Sequence, residues 1–472
     1  MTGDDEQFMR SPDALAWNME HDPGLRSTIV AVAWLASPPD VDVVTRRLEQ
    51  ATRLAPRFRQ RPVPSPAGLS TPQWVDCEFD LSLHLRRFTA PEPRTDQTVL
   101  DFARAEAMTS FDVSRPLWQM TLIDGLAGDR SALVMKVHHS LTDGIGGMQL
   151  AMLVFETTPV TQAIDEVPVP APEPVPSGVG LATGALGHTV GRAVGSVRSG
   201  LGQVVPVTRT VARHPVRSVL DAVATTISLG RFVRPVSGTL SPIMTRRSLD
   251  RHLDVLEFDL VDLKRAGAAV GSTVNDAFVA SVTGGLRRYH DLHGTPVDEL
   301  RITMPISLRR EDDPEGGNRI TLERFAVPVA EADPGTRVRT TGWRCRAARY
   351  EEALPLSDAV AGLLNLLPAG IIGSMLKHVD FLASNVPGVP VPIYLAGAPV
   401  TGYYAFGPTT GAACNVTLVT YEGTCCVGCN IDTAAVPDPV KLTACLRDGF
   451  DEVLALGGLH APVRSPLAEP ED

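Results

Sequence analysis

The chain has 472 residues, too long for one ordinary hydrophobic core, and its length alone argues for two to three domains. Its residues are 44% hydrophobic and 21% charged, a balance typical of soluble globular proteins, with no collagen-like or repeat period. The formal net charge of −11 argues against wholesale nucleic-acid binding.

The opening run Met1 to Glu6 is acidic and lacks the basic-then-apolar order of a secretory signal. Seven cysteines, an odd number in a long chain, fit free thiols in a reducing compartment, so a cytoplasmic location is expected. Ser11 to Glu20 reads as a short helix with Ser11 or Asp13 as its cap. Thr28 to Leu35 has the β-branched, apolar character of a strand, and Val41 to Leu54 carries helical spacing with its arginines outward. A strand followed by a helix opens a layered α/β domain. Gln97 to Met108 is a second helix. Leu117 to Ile123 and Ser131 to Val137, separated by the turn-forming Asp124 to Arg130, read as an antiparallel hairpin.

That hairpin runs directly into His138 and His139, and Ile145 to Phe155 resumes as a helix. Two imidazoles therefore sit where a strand ends, the place where α/β proteins present side chains to a cleft. Histidine takes up and returns a proton near neutral pH, which makes His139 the candidate general base, with Asp143 and Gly144 shaping the turn that holds it. The local alternative is plain: Asp143 is also an ordinary helix cap, and one of two adjacent histidines can be a core residue with its bonds satisfied internally.

Beyond Phe155 the character changes. Val167 to Pro176 alternates proline with other residues, an extended connector that closes a first domain at residues 1–165. Residues 166–248 form a Pro-rich linker and a basic crossover segment. Between Ser177 and Asp250 nine arginines face two aspartates, a net charge of +7, which leaves −18 for the rest of the chain. Arg209, Arg213 and Arg217 lie four apart and would share one helix face. This segment is either a crossover with a solvated face or a surface for anionic lipid headgroups or the phosphates of a ligand.

A second domain, residues 249–472, then begins. His252 to Asp259, Leu300 to Leu308, Ile320 to Val329, Val391 to Val400, Ala413 to Tyr421 and Thr424 to Ile431 read as strands. Val261 to Val270, Thr273 to His290 and Lys441 to Leu456 read as helices. Ala359 to Leu376 has no charged residue, but Asn365, Pro368, Gly370 and Gly373 argue for packed helical turns or an apolar surface patch over a membrane span. Cys425, Cys426 and Cys429 are close together, yet a strand places Cys425 and Cys429 on one face and no second ligand pair follows, so no metal site is expected. The fold class is α/β, built as α+β two-layer sandwiches.

The pattern His138-His139-x-x-x-Asp143-Gly144 resembles the signature of the CoA-dependent acyltransferase superfamily, which includes chloramphenicol acetyltransferase and the condensation domains of peptide synthetases. Five further stretches narrow the resemblance to the bacterial wax ester synthase/diacylglycerol acyltransferases: Ser11 to Leu15 with Glu20, Arg115 to Trp118, Asn275-Asp276, Met304 to Arg309, and Ser384 to Gly388. Each also has a local reading. Thr273 to Asp276 is a capping box, Pro116 and Trp118 are packing and chain-direction residues, and Pro387-Gly388 is a turn whose glycine lets a ligand approach the backbone.

The resemblance implies two chloramphenicol-acetyltransferase-like domains with an active-site tunnel between them and His139 at its midpoint. It implies an acyl transfer without a covalent acyl-enzyme, and the chain has no Gly-x-Ser-x-Gly elbow to supply one. Asn275 is the first candidate donor to the oxyanion, with Ser384 and Asn385 as further candidates, and Glu20 and Asp276 are candidate substrate-side acids. Asp143 would be structural, paired with Arg309. The partners implied are long-chain acyl-CoA as co-substrate, with no other cofactor, and diacylglycerol or a long-chain alcohol as acceptor. Peripheral contact with an anionic membrane or a lipid droplet surface is expected from the basic middle. Two other readings fit the same fold: a condensation-type enzyme drawing its acyl group from a carrier protein, and a non-catalytic lipid-binding protein.

Overall fold

The computed structural model describes residues 7–66, 70–142, 147, 151–160, 168, 183, 238–307, 320–349, 365 and 377–467. Two six-stranded sheets carry the molecule. The first holds β1 (Thr28–Leu35), β4 (Leu85–Thr89), β5 (Trp118–Leu126) and β6 (Arg130–His138) from the amino-terminal part of the chain, with β2 (Gln60–Val63) and β3 (Gln73–Asp76) pairing apart as a small ribbon. The second holds β7 (Arg251–Asp259), β8 (Glu299–Ser307), β9 (Ile320–Pro328), β10 (Phe381–Val389), β13 (Cys414–Tyr421) and β14 (Thr424–Asp432). The remaining pair, β11 (Tyr394–Leu395) and β12 (Ala398–Phe406), leaves the carboxy-terminal part and joins the first sheet, where β12 lies antiparallel to β1 with Val30 opposite Phe406.

The strand order is β11-β12-β1-β6-β5-β4 in one sheet and β7-β14-β13-β10-β8-β9 in the other. Both sheets are mixed: β4 runs parallel to β5, and β10 runs parallel to both β13 and β8. The expected hairpin is present, with β5 and β6 antiparallel and Met120 opposite Met135. Helices cover the sheets as a layered fold requires. In the first half these are α1 (Ser11–Met19), α2 (Val41–Leu54) and α3 (Asp96–Met108), and α3 packs on β1 and β6. In the second half α4 (Leu260–Ala269), α5 (Val274–Leu292), α6 (Pro334–Arg349) and α7 (Pro439–Leu454) pack together, with α5 against α7 and α6. The α5–α7 crossing is close because a side chain at Gly285 would meet the backbone of Leu446 at 2.6 Å.

Some local expectations are corrected. Neither Ser11 nor Asp13 caps α1: the cap position is Arg10, which makes no side-chain cap bond, and Pro12 stands in the first turn where its missing N–H costs nothing. Pro387 and Gly388 are not a turn, because β10 continues to Val389 through a register shift. The close approach that Gly388 permits is to the carbonyl of Thr420 on β13, which a side chain would meet at 1.7 Å, and not to a ligand. The strand expected at Val391 to Val400 is a two-residue β11 followed by a β12 that extends to Phe406. Helix α6 and strands β2, β3 and β4 have no counterpart among the expected elements, and β10 runs past Pro387, where a turn after a strand is expected. The linker at Val167 to Pro176, apart from residue 168, and the arginines at 209, 213 and 217 lie outside the described residues.

Candidate active site

The site is built on the end of β6, flanked by β1 on one side and β5 on the other. Here Thr28 of β1 stands opposite His138, and the backbone N–H of His139 donates to the Ser27 carbonyl at 2.8 Å. The two histidines differ in kind. His138 is completely buried, whereas His139 is half-buried.

Both ring nitrogens of His138 are engaged. The backbone N–H of Ser140 donates to Nδ1 at 3.1 Å, and the Ser140 hydroxyl lies 2.7 Å from the same atom. An Nδ1 that accepts leaves the proton on Nε2, and that atom faces Oε2 of Glu20 at 3.3 Å. The contact is within ion-pair reach but is not aligned as a hydrogen bond. Aromatic edges fix the ring plane: Trp17 of α1 stands 5.8 Å away at 77°, and Phe111 stands 5.9 Å away at 82°.

Glu20 reaches this position because α1 ends at Met19 and the chain turns back into β1. Its Oε2 also accepts from the Ser27 N–H at 3.3 Å, and its Oε1 lies 3.5 Å from Nε of Arg26. Residue 27 therefore ties both ends together: its N–H holds Glu20 and its carbonyl holds His139. Sequence reasoning placed an acid near the centre; the structure shows it against His138, Ser27 and Arg26.

A second group of charges lies behind His138 on the same face of β6. Lys136 is 1% exposed, and its Nζ lies 3.3 Å from Oε2 of Glu106 on α3 and 4.6 Å from the centre of the Phe111 ring. Arg86 on β4 takes the other oxygen of Glu106 at 2.8 Å. Burial pulls the Lys136 ammonium below the usual lysine range, while Glu106 and Glu20 pull it back. The sequence carries a signal for this group, a lysine inside an otherwise apolar strand, which strand patterning alone does not separate from the run to Val137.

The candidates of the second half are engaged within their own sheet and helices. Asn275, at the start of α5, points its Nδ2 at the sulfur of Met304 on β8, 3.7 Å away. Asp276 is buried in the capping box with Thr273, accepting from the Thr273 N–H at 3.0 Å while its own N–H donates to the Thr273 hydroxyl at 3.2 Å. Arg346 of α6 donates to the same Asp276 carboxylate at 3.1 Å. Ser384 and Asn385 are half-buried on β10, beside Thr417 and Leu418 of β13. Trp118 is fully buried, its indole N–H donating to the Phe58 carbonyl at 2.9 Å and its ring stacked on His84 at 4.6 Å; its own backbone N–H donates to the carbonyl of Pro116 at 2.9 Å. Trp118 and Pro116 are both buried. Asp143, Gly144 and Arg309 lie outside the described residues, as does Ala359 to Leu376 apart from Asn365.

Among the described residues no cluster of histidine, cysteine or acidic side chains has the makings of a metal site. Cys425 and Cys429 belong to the core of the second sheet and Cys426, on the opposite face, packs into the other core. No helix among the described residues is long and apolar enough to cross a membrane.

Comparison with known proteins gives consistent matches. Residues 9–278 match the family model described as the wax ester synthase/diacylglycerol acyltransferase catalytic domain, and residues 316–453 match the C-terminal domain of the same family. A putative diacylglycerol O-acyltransferase of Mycobacterium tuberculosis is 35% identical over 95% of this chain and 92% of its own length. A protein of Mycobacterium bovis with the same description is 27% identical over 89% of this chain and 91% of its own. Among solved structures, the wax ester synthase/diacylglycerol acyltransferase of Marinobacter aquaeolei superposes with a TM-score of 0.64 at 20% identity, over 96% of this chain and all of that one (100%). The first condensation domain of the calcium-dependent antibiotic synthetase superposes with a TM-score of 0.61 at 15% identity, covering 97% of each.

Proposed function

This chain belongs to the wax ester synthase/diacylglycerol acyltransferase family and is an acyltransferase, and from that premise we propose that it moves a long-chain acyl group from CoA to the hydroxyl of a diacylglycerol, or of a long-chain alcohol, with His139 as general base. The observation that supports His139 over its neighbour is the difference in burial at the end of β6: His138 is sealed in between Ser140 and Glu20, while His139, its backbone N–H held by Ser27, keeps a half-buried side chain. A ring that must meet a substrate needs that exposure, and a ring that must hold its neighbour does not.

The chemistry follows from the residue types. The neutral imidazole of His139 accepts the proton of the acceptor hydroxyl as its oxygen attacks the thioester carbonyl. The tetrahedral intermediate collapses by breaking the carbon–sulfur bond, and the imidazolium returns its proton to the departing CoA sulfur. Ester and free CoA leave, and the enzyme ends in the protonation state in which it began. The developing oxyanion needs donors; the amide of Asn275 is the first candidate, with Ser384 and Asn385 as alternatives on β10. The two halves would meet around a tunnel that admits the acyl-CoA from one mouth and the alcohol from the other. No resident cofactor takes part in this scheme, and the arginine-rich segment between the halves is the region we assign to peripheral contact with an anionic membrane or droplet surface.

The test uses purified protein, radiolabelled palmitoyl-CoA, and either dioleoylglycerol or hexadecanol. Labelled triacylglycerol or wax ester is expected, and its loss in His139→Ala by a factor of about a hundred or more supports the base. Ester formation that survives His139→Ala overturns the assignment. Acyl transfer only from an acylated carrier protein would replace the donor, and binding of either lipid without turnover would leave only a lipid-binding protein.

A further inference from the structure

Among the described residues, the charges behind the histidine pair do not cancel. Among the described residues, the groups that face it are Glu20 after α1, Arg26 before β1, Arg86 on β4, Glu106 on α3 and Lys136 on β6: three cations against two carboxylates. Arg26 is bound to Glu20 and to the carbonyl of Met108, and Arg86 shares Glu106 with Lys136. The surplus positive charge is therefore carried by the Arg86–Glu106–Lys136 group. Within it Lys136 is the member sealed from water, its side chain 2% exposed against 31% for Arg86.

Packing alone gives no reason for a lysine here. On either side of it in β6, Met135 and Val137 are apolar, and the ammonium is taken out of water to be held by one carboxylate and the face of one ring. Burying a charge is costly, and an apolar residue of the same length would fill the space without that cost. What a methionine cannot supply is a fixed positive potential at the base of the histidine pair. Phe111 sits between the two features: Lys136 lies over its face, where the ring is electron-rich, and the ring meets His138 at 82°.

We propose that Lys136 is a positioning residue for the acyl transfer: its buried ammonium, held by Glu106 against the face of Phe111, places a fixed positive potential at the end of β6 that favours a neutral His139, ready to accept a proton. The inference rests on the reading of His139 as base. It assigns Lys136 and Glu106 an electrostatic part in the reaction that neither contact with substrate nor packing would give them.

The experiment is the pH dependence of kcat/KM, measured by release of CoA thiol, for the full-length protein and four variants. Three residues of extended chain separate Lys136 from His139 by about 10 Å, and removing one partly screened charge at that distance moves a pKa by about half a unit. Lys136→Met removes the cation, so the acid limb moves up by about half a pH unit. Arg86→Gln, at a more exposed position, moves it the same way by less and serves if Lys136→Met does not fold. Glu106→Gln removes the anion and moves the limb down. Lys136→Arg keeps the charge and restores the limb position. A purely structural role predicts lower activity at every pH with the limb in place; an unmoved limb in the folded variants, or movement in one direction for both Lys136→Met and Glu106→Gln, overturns the proposal. Failure of the base reading is separately visible, because His139→Ala would then remain active.

Discussion

Replacing Glu20 with glutamine is the sharpest probe of how the site is held. The substitution keeps shape and volume, and the amide oxygen can still accept from the Ser27 N–H, now 3.3 Å away. What is lost is the negative charge facing Nε2 of His138 at 3.3 Å and Nε of Arg26 at 3.5 Å. Well-aligned charge-assisted bonds contribute about 1.5–3 kcal/mol, and the poor alignment of both contacts argues for the lower end. At about 1.5 kcal/mol, felt through the orientation of the histidine pair in the transition state, kcat should fall about tenfold. KM for acyl-CoA and acceptor should stay within about twofold if the carboxylate acts through its contacts with His138, Ser27 and Arg26. The assay is initial-rate CoA release over a matrix of both substrates, with a thermal melt to establish that the variant folds. An unchanged kcat in a folded Glu20→Gln protein refutes the reasoning, and a raised KM at unchanged kcat would instead put Glu20 in contact with substrate.

Two further outcomes are expected. His84 packs against both Phe79 and Trp118, and His290 donates from Nδ1 to the Leu286 carbonyl and receives the Ser241 hydroxyl on Nε2; burial holds both below the ordinary histidine value of 6.5. The unfolded chain therefore takes protons first on acidification, so the stability these rings contribute is complete above 6.5 and is lost as pH falls toward their lowered folded values. Unfolding free energies from urea melts should drop as pH falls below about 6.5, by at most about 1.4 kcal/mol per pH unit for each ring, and the drop should flatten in His84→Gln and His290→Gln; stability that rises on acidification contradicts this. Gly388→Ala should abolish soluble folded protein, since its Cβ would fall 1.7 Å from the Thr420 carbonyl, whereas Gly238→Ala, with open space around it, should express and melt like the parent.

How far the fold could be read in the sequence depended on whether the signal was local. Strand β1 was expected at the residues it occupies, and β5, β6, α2, α3 and α5 within a few residues, because alternation, helical spacing and the Thr273 cap are written in adjacent positions. Helix α6 is hard to read because five of its sixteen residues are arginines and its apolar stripe is thin; three of those arginines are paired with distant acids, Glu452, Glu299 and Asp276. Strand β10 was broken in the reading by Pro387 and Gly388, which the fold absorbs in a bulge. The site divides in the same way. The histidines announce themselves by their pairing, while Lys136, Glu106 and Arg86 are scattered along the chain and acquire meaning only when α3 and β4 are laid beside β6.

The pairing of β12 with β1 has a consequence for how this protein is made. Strand β1 leaves the ribosome well before its neighbour on that side, which follows only after most strands of both sheets. Until then one side of an aliphatic strand, adjacent to the strand that carries the histidines, offers unmatched amide groups to any passing chain. Nascent or truncated forms ending before residue 398 should accordingly be sticky and dependent on chaperones, and attempts to produce either half separately should fail for want of the strand the other half lends.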